Sequence, residues 1–267
     1  MARTICLAAV LAAAVSLTTT AGTAQSRYDD CNDGGRSRQA RYCEVRESTM
    51  PGVNPIDVDA SPNGGISIRG WDRAEAHVRA RIQTYADTMA EAQALASAVR
   101  IEATGTIVRS DGPSQDRDNG RNWSVSFEIQ VPRTAMITLH TVNGGISIQD
   151  FRGTAKFTTR NGGVTLADVG GDIKGETSNG GLTVDLRGDR WDGAGLDVET
   201  HNGGVKVSVP ENYSAVLETS TVNGRVSIDF PVTVSGSIGR QLTTTLGSGG
   251  AKIKATTVNG GVTIRRR

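Results

Sequence analysis

Aromatic residues make up only 4% of this sequence, cysteine and histidine occur three times each, and 29 basic side chains face 28 acidic ones. Because the two signs are interleaved and the net charge is +1, there is no basic face for a phosphate backbone, and nucleic acid is not an expected partner. His77, His140 and His201 are scattered without the ligand pattern that a metal site or a histidine base requires. Serines appear without a Gly-x-Ser-x-Gly elbow. The sequence therefore predicts no catalytic residue, no metal and no cofactor.

Long apolar runs are also missing. Ile5 to Leu17 is about 13 residues, against the about 20 that a bilayer span needs. Preceded by Arg3 and followed by Gly22-Thr23-Ala24, it reads as a signal peptide over residues 1–24. Cys6 lies inside the apolar run and not at its small-residue end, which argues against a lipid-modified cysteine. The polar segment 25–50 holds Cys31 and Cys43, and export predicts a disulfide between them. Closing so short a loop would restrict the unfolded chain by about 3 kcal/mol.

What the sequence has in abundance is one phrase. It begins at Ser61 as Ser-Pro-Asn-Gly-Gly-Ile-Ser-Ile and returns at Thr141, Thr159, Thr177, Thr200, Thr221 and Thr257. In the six later copies the asparagines are Asn143, Asn161, Asn179, Asn202, Asn223 and Asn259, in steps of 18, 18, 23, 21 and 36. The last step is twice 18, which suggests one degenerate copy. Such self-similarity is the mark of a stacked repeat.

Each repeat reads as two short strands and two turns. Ile137-Thr-Leu139-His-Thr141 alternates apolar and polar residues as a half-buried strand does. Asn-Gly then tolerates positive φ and turns the chain, and Ile146 and Ile148 begin a second strand that ends at turns such as Asp150 to Gly153. An antiparallel hairpin stack is the competing geometry. Identical residues at identical depth favour an all-β, single-stranded parallel β-solenoid of about 18 residues per coil, with copies stacked about 4.8 Å apart. The asparagines would then hydrogen-bond in a ladder, with the threonines as a neighbouring ladder.

Residues 51–134 differ in texture. They hold the first copy, a strand over 76–84, good helix formers over 87–99 and strands over 101–108 and 123–131. Met89, Ala92, Leu95, Ala96 and Val99 fall on one side of the helix. This segment reads as a cap over the first rung, as an exposed edge requires, leaving 135–267 as the repeats. Arg265 to Arg267 would place charge on the last edge.

The best acidic cluster is Asp185, Asp189 and Asp192 around Trp191, in the insertion that lengthens one coil to 23 residues. There a carboxylate face could cleave glycans and Trp191 could stack on a sugar; a polar bulge loop is the simpler reading.

With its recurring Thr-x-Asn-Gly-Gly-apolar-x-apolar phrase, and with Ile68 to Asp72 and Val131-Pro132, the chain resembles the bacterial putative-adhesin family over roughly residues 51–267. The resemblance implies an exported β-solenoid and brings no catalytic residues. The expected function is a non-catalytic, adhesin-like binding or structural module of the cell envelope, in the periplasm or at the bacterial surface. Its partner would be an envelope glycan, lipid or protein, with end-to-end homo-oligomers possible. The rivals are a glycan-cleaving β-helix and an envelope-stress scaffold acting through a protein partner.

Overall fold

The computed structural model describes residue 31 and residues 39–52, 54–114, 120–231 and 239–267; the signal-peptide expectation lies outside these. The chain divides into a unit of residues 1–34 and one of residues 35–267. Cys31 and Cys43 are both disulfide-bonded. All that follows concerns the second unit.

Its strands, numbered in chain order, form two sheets. The first runs from β1 (Ala40–Met50) through β4 (Ala76–Ala86), β7 (Asn122–Pro132), β3 (Ile66–Trp71), β9 (Ile146–Phe151) and β11 (Val164–Val169). It continues through β13 (Leu182–Asp185), β15 (Val205–Val209) and β20 (Val262–Arg266) to β17 (Val226–Ile228). The second begins with β18 (Gln241–Leu246), β16 (Ala215–Asn223), β19 (Lys252–Asn259), β14 (Gly195–Asn202) and β12 (Asp172–Asn179). It ends with β10 (Thr154–Asn161), β8 (Met136–Asn143), β2 (Ile56–Asp59), β6 (Ile107–Asp111) and β5 (Arg100–Thr104).

Within the repeats pairing is parallel and in the register of the phrase. Thr141 lies beside Thr159 and Thr159 beside Thr177; Ile146 lies beside Val164 and Val164 beside Leu182. Because strand side chains alternate between faces, each strand sends one set inward. Ile137, Leu139, Ile146, Ile148, Leu166, Ile173 and Val184 join a single core filled from both sheets. Burying residues of this size contributes about 1.5–3 kcal/mol each, so stacking holds a repeat that has no core of its own.

The order of stacking departs from the order of the chain. The phrase predicts that the copy at Thr221 follows the one at Thr200, with a degenerate coil before Thr257. Instead β19 pairs with β14 on one side and β16 on the other, and β20 lies between β15 and β17. The last copy is thus an interior rung. The intervening segment supplies β18, which pairs antiparallel with β16 at the edge. Arg265 and Arg266 consequently sit on an interior strand and not on the last edge. Cysteines at Lys206 and Thr263, adjacent in register, are expected to cross-link readily under mild oxidation, and cysteines at Lys206 and Ser227, two strands apart, are not. Non-reducing mass spectrometry reads the result, and chain-order stacking would reverse it.

At the other end the first sheet changes to antiparallel pairing through β7, β4 and β1. The helix α1 (Met89–Ala98) opens with a capping box in which Thr88 accepts from the Glu91 amide and Glu91 from the Thr88 amide. It buries Ala92 and Ala96, while Met89 is 49% exposed and does not share the buried face expected of it. The Arg46 guanidinium donates to the Ala96 and Val99 carbonyls at 2.9 and 2.6 Å, satisfying acceptors at the end of the helix. The single strand expected over 101–108 is two, β5 and β6, because Gly105 adopts a left-handed φ of 57° and folds them into a hairpin.

Candidate functional site

Where the chain crosses from the second sheet to the first, the phrase forms a corner. Its asparagine amides donate in series: Asn143 to Asn63, Asn161 to Asn143, Asn179 to Asn161, Asn202 to Asn179, Asn259 to Asn202 and Asn223 to Asn259, at 2.8–2.9 Å. Asn63, from the copy outside the main run, is the first member of the row. The threonines do something else. Each buried hydroxyl donates across to a glycine carbonyl of the next rung, as Thr159 does to Gly144 and Thr177 to Gly162, at 2.7–2.9 Å. This satisfies a buried donor and a buried acceptor together.

The corner glycines are not left-handed, contrary to the turn expected from Asn-Gly. At the opposite turns the left-handed region is occupied by Asp150 at 54° and Asp168 at 51°, with Gly171 at 90°. The first glycine of the phrase is needed because the rungs nearly touch. A Cβ on Gly144, Gly162, Gly180, Gly203 or Gly260 would lie 1.9–2.1 Å from the carbonyl oxygen of its neighbour. The second glycine is freer, at 3.1–3.6 Å, and one copy carries Arg225 there.

On the outer face of the first sheet a row of Ser67, Ser147, Thr165, Thr183, Lys206, Thr263 and Ser227 stands in register. The outer face of the second sheet is charged. One row across its strands is Thr138, Lys156, Lys174, Asp197 and Lys254; the next, two residues along, is His140, Thr158, Glu176, Glu199 and Thr256. Between the rows runs a groove of about 500 Å3. Lys254 and Asp197 are 3.1 Å apart, and the Asp197 hydrogen bond holds the Lys254 ammonium above the usual lysine pKa. The lysine row was not among the expected site residues, although the 18-residue step from Lys156 to Lys174 signals it; nothing in the spacing signals Lys254, whose place depends on the inserted rung.

The insertion around Trp191 does not form the face imagined for it. Trp191 is 5% exposed and its indole N–H donates to the Gly171 carbonyl at 3.0 Å; a ring in the core offers no surface to a sugar. Asp185 pairs with Arg267 at 2.7 Å and Arg187 at 3.5 Å, and Asp189 with Arg190 at 3.5 Å. Asp192 is exposed, and its backbone carbonyl accepts from the Gly171 amide at 2.6 Å. Burial pushes the nearby Tyr213 phenol pKa up. Among the described residues no three His, Cys, Asp or Glu side chains gather in a metal-binding group.

Residues 75–265 match the family model described as Toastrack DUF4097. No curated protein matches. Among solved structures, a putative cell adhesion protein from Clostridium sporogenes aligns over 85% of this chain and 100% of its own, with 11% identity and a TM-score of 0.42. A putative adhesin from Bacteroides fragilis aligns over 85% and 97%, with 13% identity and a TM-score of 0.34. A putative lipid binding protein from Parabacteroides distasonis aligns over 84% and 96%, with 11% identity and a TM-score of 0.33.

Proposed function

This chain belongs to the Toastrack DUF4097 family, and on that premise we propose that it is an exported, adhesin-like binding module of the bacterial cell envelope that works through a repetitive β-surface and not through catalysis. The observation that supports this reading most is the contrast between the inside and the outside of the repeats. Inside, the threonine hydroxyls and phrase carbonyls are matched to one another. Outside, polar rows recur at strand spacing, about 4.8 Å, on two sheet faces.

We take the repeats as a two-strand coil of about 18 residues, whose stacking gives a stiff platform with its chemistry distributed over many side chains. The glycan-cleaving alternative loses support because Asp185 and Asp189 are held in ion pairs and Trp191 is buried. The disulfide-bonded cysteines suit an oxidising compartment.

The test is retention of the chain lacking residues 1–24 on a panel of envelope fractions and purified glycans, with chromatographic analysis of the same samples. Binding with no new products is the expected result. Absence of retention on every fraction, or release of shortened glycans, would overturn the reading.

A further inference from the structure

The charged groove on the second sheet has lysines along one wall, interrupted by Asp197, and glutamates along the other. Lys156 lies directly beside Lys174 in register, and Glu176 directly beside Glu199. Like charges facing one another across neighbouring strands cost stability. Elsewhere on this face the charges are answered: Lys252 pairs with Glu218 at 3.0 Å, Lys254 with Asp197 at 3.1 Å and Lys174 with Asp172 at 3.2 Å. Lys156, Glu176 and Glu199 have no ion-pair partner among the described residues.

Resting on the binding-module reading above, we propose that this groove holds a linear glycan bearing both carboxylate and ammonium groups. Its carboxylates meet Lys156 and Lys174, and its ammonium groups meet Glu176 and Glu199. The two walls are separated by two residues of strand, about 7 Å, which a substituted sugar ring spans with its two charges on opposite sides. The groove crosses five strands from β8 to β19, about 19 Å at one strand spacing per step. That length suits several sugar rings in line and exceeds a single headgroup. The walls are lysine, glutamate, aspartate, threonine and histidine side chains, and Leu139, Phe157 and Gly175 form the floor. Leu139 and Phe157 are 1% and 3% exposed, so the floor is a closed surface for a sugar face and not a slot that admits an acyl chain.

Carboxymethyl-chitosan oligomers provide a probe with both charges. Chitosan oligomers carry only ammonium groups and oligogalacturonate only carboxylates; phosphatidylethanolamine vesicles present a zwitterion on a lipid. At low salt, calorimetry is expected to show the doubly charged oligomer bound at least tenfold more tightly than any of the others. Lys156→Ala with Lys174→Ala should weaken it tenfold or more and leave chitosan binding no weaker. Glu176→Ala with Glu199→Ala should weaken it similarly and leave oligogalacturonate binding no weaker. Neither double variant should lower the thermal midpoint, since each removes a like-charge pair and the solvent-exposed Lys174–Asp172 ion pair that goes with one of them contributes little. Unchanged affinity in both, or preference for the vesicles, would overturn the inference. If the unaltered chain still binds other envelope glycans in that case, the binding-module reading survives alone; if it binds none, both fall.

Discussion

Replacing Gly180 with alanine is expected to destabilise the protein by about 3 kcal/mol or more, whereas the same change at Gly181 stays within about 0.5 kcal/mol. The new Cβ at position 180 would stand 2.1 Å from the Gly162 carbonyl oxygen. That oxygen cannot simply move aside, because it also accepts the buried Thr177 hydroxyl at 2.8 Å. Relief requires two rungs to separate, which breaks packing above and below. At Gly181 the nearest atom, the Gly204 carbonyl oxygen, is 3.5 Å away, an ordinary contact. Alanine there also reduces the freedom of the unfolded chain, a small gain. For a protein of this size the difference amounts to about 6–12 °C in thermal midpoint, read by circular dichroism on the two variants side by side. Equal effects would contradict the close-approach explanation of the phrase.

Deleting residues 252–267 is expected to abolish cooperative folding. In a stack that followed chain order, the deletion would take away an outermost coil and leave the rest in place. Here it removes β19 and β20, which hold β14 and β15 on one side and β16 and β17 on the other. Ile253, Ala255, Val262 and Ile264 go with it, all buried. The larger three are worth about 1.5–3 kcal/mol each, together comparable with the whole stability of a typical domain, about 5–15 kcal/mol. Four open strand edges, on β14 and β16 in one sheet and on β15 and β17 in the other, and an uncovered stretch of core would remain in the middle of the sheets. Loss of the near-ultraviolet dichroism and of a sigmoidal urea transition is the expected readout. A truncated monomer that keeps the midpoint of the full chain would show that the last copy is not an interior rung.

Both predictions depend on neighbours that the sequence names only in part. The phrase around Asn161 and Asn179 repeats at 18 residues because parallel strands stack like residues at like depth, so the strand alternation, the corner and the family could be read from the chain alone. The helix was legible too, from its run of good helix formers over 87–99. Its contact face was legible in the main, since Ala92, Ala96 and Val99 are buried and Leu95 packs against the core; only Met89 at the first turn departs, because how far the cover reaches along a helix depends on what packs there. The acidic insertion shows the same limit: Asp185, Asp189 and Trp191 are near one another in sequence, yet a turn of the chain sends the indole inward to Gly171.

The order of the last rungs was decided only in three dimensions. Each of the six later copies presents the same backbone edge, the same asparagine and the same threonine, so the corner of Thr257 fits beside that of Thr200 or that of Thr221 equally well by local chemistry. Local pairing rules specify the register of a rung, and the sequence carries those rules in full. Which rung lies next to which is set by the path of the connection and by what covers the end of the core. β18 lies on the edge beside β16, and β19, which follows it in the chain, lies between β16 and β14, which brings Lys254 to Asp197 and completes the charged groove.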